Sequence, residues 1–247
     1  MAPLVIAHRG DSAHRPENTL ASFESALTLG AEFLELDVQL CRDGHAVVLH
    51  DGSLERTTDG HGAVGQASLA ELKQLSAGYA QRFGASFAAE RIPTLSEVLV
   101  LARGRARVMI EVKKESVSEQ GQALEAKVVE VVRDLGMTGD VVLISFERRA
   151  LLRFRTLAPE IRRGHLFYRA TPGEVVAGAR EVATDIVMPE KGMLSDELVA
   201  ACHAAELKPA TWVVDDPAEL AALARFGLYG IGSNRPGALL AAIRGGG

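Results

Sequence analysis

Short β-branched runs alternate with longer amphipathic stretches along this chain. Strands are predicted at Leu4–His8, Phe33–Val38, Val47–His50, Arg107–Val112 and Val141–Phe146. Four more follow at Gly164–Phe167, Asp185–Met188, Pro209–Val214 and Tyr229–Gly232. Helical spacing fits Thr19–Leu29, Leu95–Ala102, Gln122–Leu135, Arg148–Leu157, Glu174–Ala179, Asp196–Ala204, Ala218–Phe226 and Ala238–Ile243. From Val141 onward one β-α unit recurs roughly every 22 residues, the rhythm of a parallel sheet wrapped by helices. No Pro/Gly/Ser-rich linker divides the chain, so the expectation is an α/β fold, residues 1–247 forming one TIM-like (β/α)8 barrel domain.

Two irregularities qualify that architecture. Nine strand candidates compete for eight barrel positions, so one is short, external or not a strand. The stretch Asp51–Arg91 shows no strand pattern and holds a Gly-rich piece followed by the helix-like Ser68–Leu75. Its roughly 40 residues exceed an ordinary connection. It reads as a small insertion after the third strand, at about 51–91, capping the site end of the barrel; a plain surface excursion is the other reading.

Composition narrows the partners. With 47% hydrophobic residues, 24% charged and a formal charge of −5, the 247-residue chain is of ordinary globular type. It carries no field that would gather nucleic acid or hold it stably on an anionic membrane. An anionic substrate therefore needs a local cluster of cations. Cys41 and Cys202 form no metal-ligand or redox motif, which favours a reduced, cytoplasmic protein over a single disulfide. The opening Met1-Ala2-Pro3 lacks the basic and apolar regions of a signal peptide, and no run is long enough to span a membrane. Oligomeric state is not legible in the sequence.

The chemistry concentrates in the first half. Alternation in Phe33-Leu34-Glu35-Leu36-Asp37-Val38 puts Glu35 and Asp37 on one face. Two carboxylates on the packed face of a barrel strand repel each other unless a cation lies between them. A solvated strand face is the bland alternative, but the flanking residues are all apolar. Asp43-Gly44 is a turn signal; a hairpin there would set Asp37 opposite His50, whereas a strictly parallel barrel would bring both to one end of neighbouring strands. Either way His50 and Asp51 reach the carboxylate pair. Ile110-Glu111-Val112-Lys113 adds a third carboxylate and a cation, and His8-Arg9-Gly10 ends the first strand. Three carboxylates without Cys or His at ligand spacing favour one hard divalent cation, Mg²⁺ or Ca²⁺, over zinc. Arg9 and Lys113 supply positive charge for phosphate oxygens.

These residues resemble the glycerophosphodiester phosphodiesterases. The matching text runs His8-Arg9-Gly10, Pro16-Glu17-Asn18-Thr19, Glu35-Leu36-Asp37-Val38, Asp43-Gly44, Val48-Leu49-His50-Asp51 and Leu54-Glu55-Arg56-Thr57-Thr58. It continues through Ile92-Pro93-Thr94-Leu95, Ile110-Glu111-Val112-Lys113, Ser145-Phe146, a Trp212 strand and Gly230-Ile231-Gly232-Ser233-Asn234-Arg235-Pro236. The resemblance implies a TIM-like barrel with a family insertion after the second histidine. It implies His8 and His50 as acid/base pair, Glu35, Asp37 and Glu111 as metal ligands, and Arg9 and Lys113 on the phosphate. Phe146, Trp212 and Asn234 are then candidates for the substrate pocket, with a small glycerophosphodiester as the partner. The products implied are glycerol 3-phosphate and an alcohol, and the short chain looks like the cytoplasmic bacterial type. Asp215 stands where the family's Trp-Thr-Val-Asn has Asn, Asn234 where its closing motif has Asp, and Cys41 where a Thr is usual.

Other readings weigh less. Gly60–Gly65 spells GxGxxG but follows no strand, so the dinucleotide fingerprint fails its context. A phospholipase C/D-like enzyme acting on intact phospholipid would call for an apolar, aromatic-rich rim. A sugar isomerase or aldolase barrel leaves both histidines and Arg9 unused. A catalytically impaired binding barrel conflicts with the complete polar set.

Overall fold

The computed structural model describes residues 2–113, 116–117, 121 and 123–245. Its strands are β1 (Leu4–His8), β2 (Phe33–Leu40), β3 (Ala46–Val48), β4 (Arg107–Val112) and β5 (Val141–Ser145). They continue with β6 (Arg162–Phe167), β7 (Ile186–Pro189), β8 (Lys208–Thr211) and β9 (Gly230–Ser233). Eight of them run parallel in the order β1-β9-β8-β7-β6-β5-β4-β2, and β2 pairs back onto β1, which closes the barrel. The surplus strand is β3, external and antiparallel to β2.

The helices are α1 (Leu20–Leu29), α2 (Leu69–Leu72), α3 (Ala80–Phe83), α4 (Leu95–Ala102) and α5 (Ala123–Asp134). After them come α6 (Arg148–Leu157), α7 (Pro172–Val182), α8 (Asp196–Ala204), α9 (Glu219–Leu223) and α10 (Pro236–Gly245). Gln122, where the fifth helix was expected to begin, lies outside the described residues. Local chemistry sets several ends: Thr94 with Glu97 and Thr171 with Glu174 form reciprocal capping boxes on α4 and α7. Thr19 caps α1, and Gly30 closes it in the left-handed conformation.

Side-chain alternation divides the core into two layers. On β2, Leu34, Leu36 and Val38 face the helices, with Ile110 and Val112 of β4 in the same layer. The opposite parity points into the barrel, where Ile6, Phe33, Met109, Val142, Ile144, Leu166, Ile186, Met188 and Ala210 pack together. Continuing that inward parity toward the C-terminal strand ends leads from Ile6 to His8 and from Phe33 to Glu35 and Asp37. It leads likewise from Met109 to Glu111 and Lys113, from Ile144 to Phe146 and from Ala210 to Trp212. The barrel floor is thus apolar and its mouth polar, the end at which such barrels carry their sites.

The β2–β3 hairpin corrects the expected register. Val38 pairs with Val48, and the Leu49 N–H donates to the Asp37 carbonyl at 3.0 Å, so Leu49 rather than His50 stands across from Asp37. The turn is a three-residue loop, Arg42–Gly44, with Gly44 at φ +81°. The strand itself stops at Val48 instead of His50. The following segment to Arg91 contains α2, α3 and one 3₁₀ turn (Val64–Gln66), and the expected Ser68–Leu75 helix shrinks to the four residues of α2. Its apolar side chains Leu54, Val64, Leu72 and Ala77 pack on Cys41, Val47, Leu49 and Ile92 beside the barrel. Both cysteines are free thiols and buried. No helix among the described residues is long and apolar enough to cross a membrane.

Candidate active site

A cavity of about 250 Å³ opens at the C-terminal mouth of the barrel, with His8, Arg9, Glu35, His50, Glu111 and Lys113 on one side. Ile144, Phe146, Leu166, Met188 and Trp212 form its apolar wall. Phe146 and Trp212 meet edge to face with centroids 5.5 Å apart, and the Trp212 indole N–H donates to the Met188 carbonyl at 2.9 Å, fixing the ring. A larger cavity of about 480 Å³ lies at the opposite end of the strands between α9 and α10, but among the described residues no titratable side chain lines it. The titratable side chains gather at the smaller one.

Glu35, Asp37 and Glu111 are all buried, which rejects the solvated-face alternative, and oxygens of the three lie within 4.8 Å of one another. Two unit charges at that separation repel by about 3.5 kcal/mol at an effective dielectric constant of about 20. Burial, together with the Asp37 and Glu111 charges, pushes the Glu35 carboxyl well above the usual range. Burial and Asp37 push Glu111 up to about 7. Burial opposes ionisation of Asp37 too, but Arg9 and Lys113 hold its carboxyl below the usual range. Arg9 Nε lies 3.2 Å from Asp37 Oδ2, and Lys113 Nζ lies 2.9 Å from Glu111 Oε1 and 3.3 Å from Asp37 Oδ1. Burial alone would lower the Lys113 ammonium, yet Asp37 and Glu111 raise it.

Three oxygens, Glu35 Oε1, Asp37 Oδ1 and Glu111 Oε1, are buried without a hydrogen-bond partner. Lys113 compensates charge at two of them, Asp37 Oδ1 and Glu111 Oε1. Orphaned, mutually repelling carboxylate oxygens converging on one point are the donor set a hard divalent cation takes. The residues fit such an ion.

The two histidines occupy different settings. His8 Nδ1 lies 2.7 Å from Asn234 Oδ1, and burial, with the Arg9 charge second, lowers its pKa to about 4. His50 Nδ1 lies 2.5 Å from Asp51 Oδ1. Hydrogen bonds from Arg56 at 2.6 and 3.0 Å, assisted by His50, hold Asp51 down to about 2. Among the described residues, each ring is held through Nδ1, and none hydrogen-bonds its Nε2.

Several residues that pattern reasoning did not assign roles complete the network. Asn18 Nδ2 donates to Asp37 Oδ2 at 2.9 Å. Glu17 accepts from Arg9 Nη1 at 2.8 Å and from both Arg56 terminal nitrogens at 2.9 Å. Burial would raise the Glu17 carboxyl, but Arg56 and Arg9 lower it. A continuous chain, His50–Asp51–Arg56–Glu17–Arg9–Asp37, therefore joins one histidine to the carboxylate cluster. The motif Pro16-Glu17-Asn18-Thr19 was the only signal for Glu17 and Asn18. Arg9 and Asn18 take left-handed φ of 56° and 59° in this loop. Gly10 (φ +84°) passes α1 so closely that a Cβ would stand 2.4 Å from Ser22 Oγ.

One expected residue and one expected segment sit differently from the rest. Asn234 lies behind His8, lining a neighbouring polar cavity with Ser12, Arg82 and Asp215 instead of the one bordered by Phe146 and Trp212. From 52–91, no side chain lines the cavity bordered by Phe146 and Trp212. That segment instead flanks the mouth, where Arg56 reaches Glu17 and Arg82 donates to the Ala13 carbonyl at 3.1 Å.

Known proteins resemble this chain over nearly its whole length. Residues 8–238 match the model of the glycerophosphoryl diester phosphodiesterase family. A glycerophosphodiester phosphodiesterase of Caldanaerobacter subterraneus subsp. tengcongensis is 38% identical over 248 residues, covering 100% of both chains. A phosphodiesterase structure from Oleispira antarctica, in complex with the product sn-glycerol-3-phosphate, superposes with a TM-score of 0.89 at 32% identity, covering 98% of this chain and 97% of that one. A glycerophosphodiester phosphodiesterase structure from Agrobacterium tumefaciens gives 0.84 at 32% identity, over 97% and 100%.

Proposed function

The chain belongs to the glycerophosphoryl diester phosphodiesterase family, and from that premise we propose that it hydrolyses small glycerophosphodiesters to glycerol 3-phosphate and an alcohol. The observation that carries this reading is the cavity mouth, where three carboxylates, each with one orphaned oxygen, meet two cations and two histidines. Glu35, Asp37 and Glu111 hold one divalent cation, Mg²⁺ or Ca²⁺. When bound, such an ion polarises a phosphoryl oxygen and offsets the charge that develops in the transition state.

Arg9 and Lys113 place the phosphate at the rim of the carboxylate cluster, each already anchored by an acidic partner that keeps it charged. His8, neutral at physiological pH because of its burial, offers the Nε2 lone pair to the proton of the attacking water or substrate hydroxyl. His50, with Asp51 behind Nδ1, delivers a proton from Nε2 to the leaving oxygen. Phe146 and Trp212 supply the apolar wall against which the carbon skeleton lies. Residues 51–91 are the family-type insertion of the single domain, shaping the mouth through Arg56 and Arg82.

A cavity of about 250 Å³ suits a deacylated diester better than a two-chain lipid. The test sets glycerophosphocholine, glycerophosphoethanolamine and intact phosphatidylcholine side by side at matched concentration. Cleavage confined to the first two is expected. Faster, detergent-dependent cleavage of the intact lipid would overturn the assignment in favour of a phospholipase.

A further inference from the structure

We infer that Asp215 and Asn234 form a positioning pair that fixes which nitrogen of His8 carries the proton; this rests on the reading of His8 as the general base. Asp215 accepts three hydrogen bonds: from Asn234 N at 2.7 Å and Ser233 Oγ at 3.0 Å on Oδ1, and from Asn234 Nδ2 at 2.8 Å on Oδ2. A carboxylate can only accept, so the Asn234 amide is forced to turn its NH₂ toward Asp215 and its carbonyl oxygen toward His8. Asn234 Oδ1 stands 2.7 Å from His8 Nδ1, and also accepts only. His8 must therefore hold its proton on Nδ1, leaving Nε2 as a lone pair.

Ser12 is compatible with the same orientation. Its hydroxyl has one proton to give, either to the His8 carbonyl at 2.8 Å or to Asn234 Oδ1 at 2.9 Å. Were the amide reversed, its N–H would face Nδ1, the proton would move to Nε2, and His8 would change from acceptor to donor. Asp215 thus decides the protonation pattern of a ring it never touches. The two positions where the sequence departs from the family's Asn and closing Asp bond directly to each other. The negative charge lies one link further from the imidazole than an aspartate at 234 would place it.

The exchange of the two side chains provides the test. Asp215→Asn turns a donor against either the Asn234 amide or the Asn234 and Ser233 donors, freeing the Asn234 amide to reverse. Asn234→Asp alone sets two carboxylates face to face. The double variant D215N/N234D restores a complementary donor and acceptor on each link. Nitrogen NMR of ¹⁵N-histidine-labelled protein, assigned with His8→Gln, reads the tautomer directly, and steady-state kinetics with metal present reads its consequence. The expected results are an Nδ1–H ring in the parent protein and loss of that pure tautomer in D215N. In D215N kcat falls by about 10²-fold with little change in KM, and D215N/N234D regains the tautomer and most of kcat. Thermal unfolding of each variant separates this from simple destabilisation. An Nε2–H tautomer in the parent, or D215N with unaltered tautomer, overturns the inference. An altered tautomer with undiminished turnover leaves the positioning pair intact and overturns only the role of His8 as base.

Discussion

Asp37 and Glu111 stand directly opposite one another in the β2–β4 ladder, both buried and each with an orphaned oxygen. Parallel pairing brings their side chains to the same level of the barrel, and Lys113 Nζ reaches both. With Arg9 beside Asp37, two cations face three carboxylates at these buried oxygens. That imbalance is what a divalent cation would cancel.

Ion binding should therefore be visible as stabilisation. Mg²⁺ or Ca²⁺ at about 100 times its Kd should raise the unfolding free energy by ~2.7 kcal/mol, read as an upward shift of Tm. Glu35→Gln and Asp37→Asn should lose most of that shift. Equal shifts in parent and variants would place the ion elsewhere.

The raised carboxyls make binding pH-dependent. Glu111 titrates near 7 in the metal-free fold, and coordination requires its anion. Calorimetry at pH 6 in two buffers of different ionisation enthalpy should detect proton release on binding, declining above pH 7. The stability sign follows from the same shift. A carboxyl raised above its unfolded value near 4.5 binds more protons in the folded state. Metal-free stability relative to Glu111→Gln is therefore full at low pH and is lost as pH rises through about 7. A rise over that window would show that Glu111 is not raised.

Lys113→Met should separate two roles of one residue. Loss of a charge-assisted phosphate contact should raise KM by about 10-fold or more. Removal of the ammonium from beside Asp37 and Glu111 should at the same time tighten the divalent ion. If both affinities weaken together, Lys113 is acting through the fold rather than through charge.

The histidines should differ by leaving group. His8→Ala and His50→Ala should each lower turnover of glycerophosphocholine by about 10²-fold or more. An activated aryl phosphodiester, whose leaving group needs no proton, should rescue His50→Ala and not His8→Ala. Rescue of His8→Ala instead would exchange the acid and base assignments.

The barrel was legible because its inward positions are marked by chemistry as well as by period. Glu35 and Asp37 interrupt an otherwise apolar strand, and the same parity carries Glu111, Phe146 and Trp212. The hairpin register was not legible. Counting outward from Asp43-Gly44 assumes a symmetric turn, whereas the Arg42–Gly44 loop shifts the pairing so that Leu49 faces Asp37. Nor does periodicity reveal Arg56, Glu17 or Asp215. Each acts across a loop-to-loop contact, such as Asp215 to Asn234 or Arg56 to Glu17, which closes only when the barrel closes. The place of Asn234 behind His8, rather than on the substrate wall, has the same origin.

The most direct measurement follows release of glycerol 3-phosphate and choline from glycerophosphocholine by the purified protein, before and after EDTA, and again after adding Mg²⁺ or Ca²⁺. Turnover that vanishes with chelation, returns with the ion, and is absent from Glu35→Gln in every condition is the expected result. Undiminished release of both products in excess EDTA would contradict the carboxylate cluster as the centre of the chemistry.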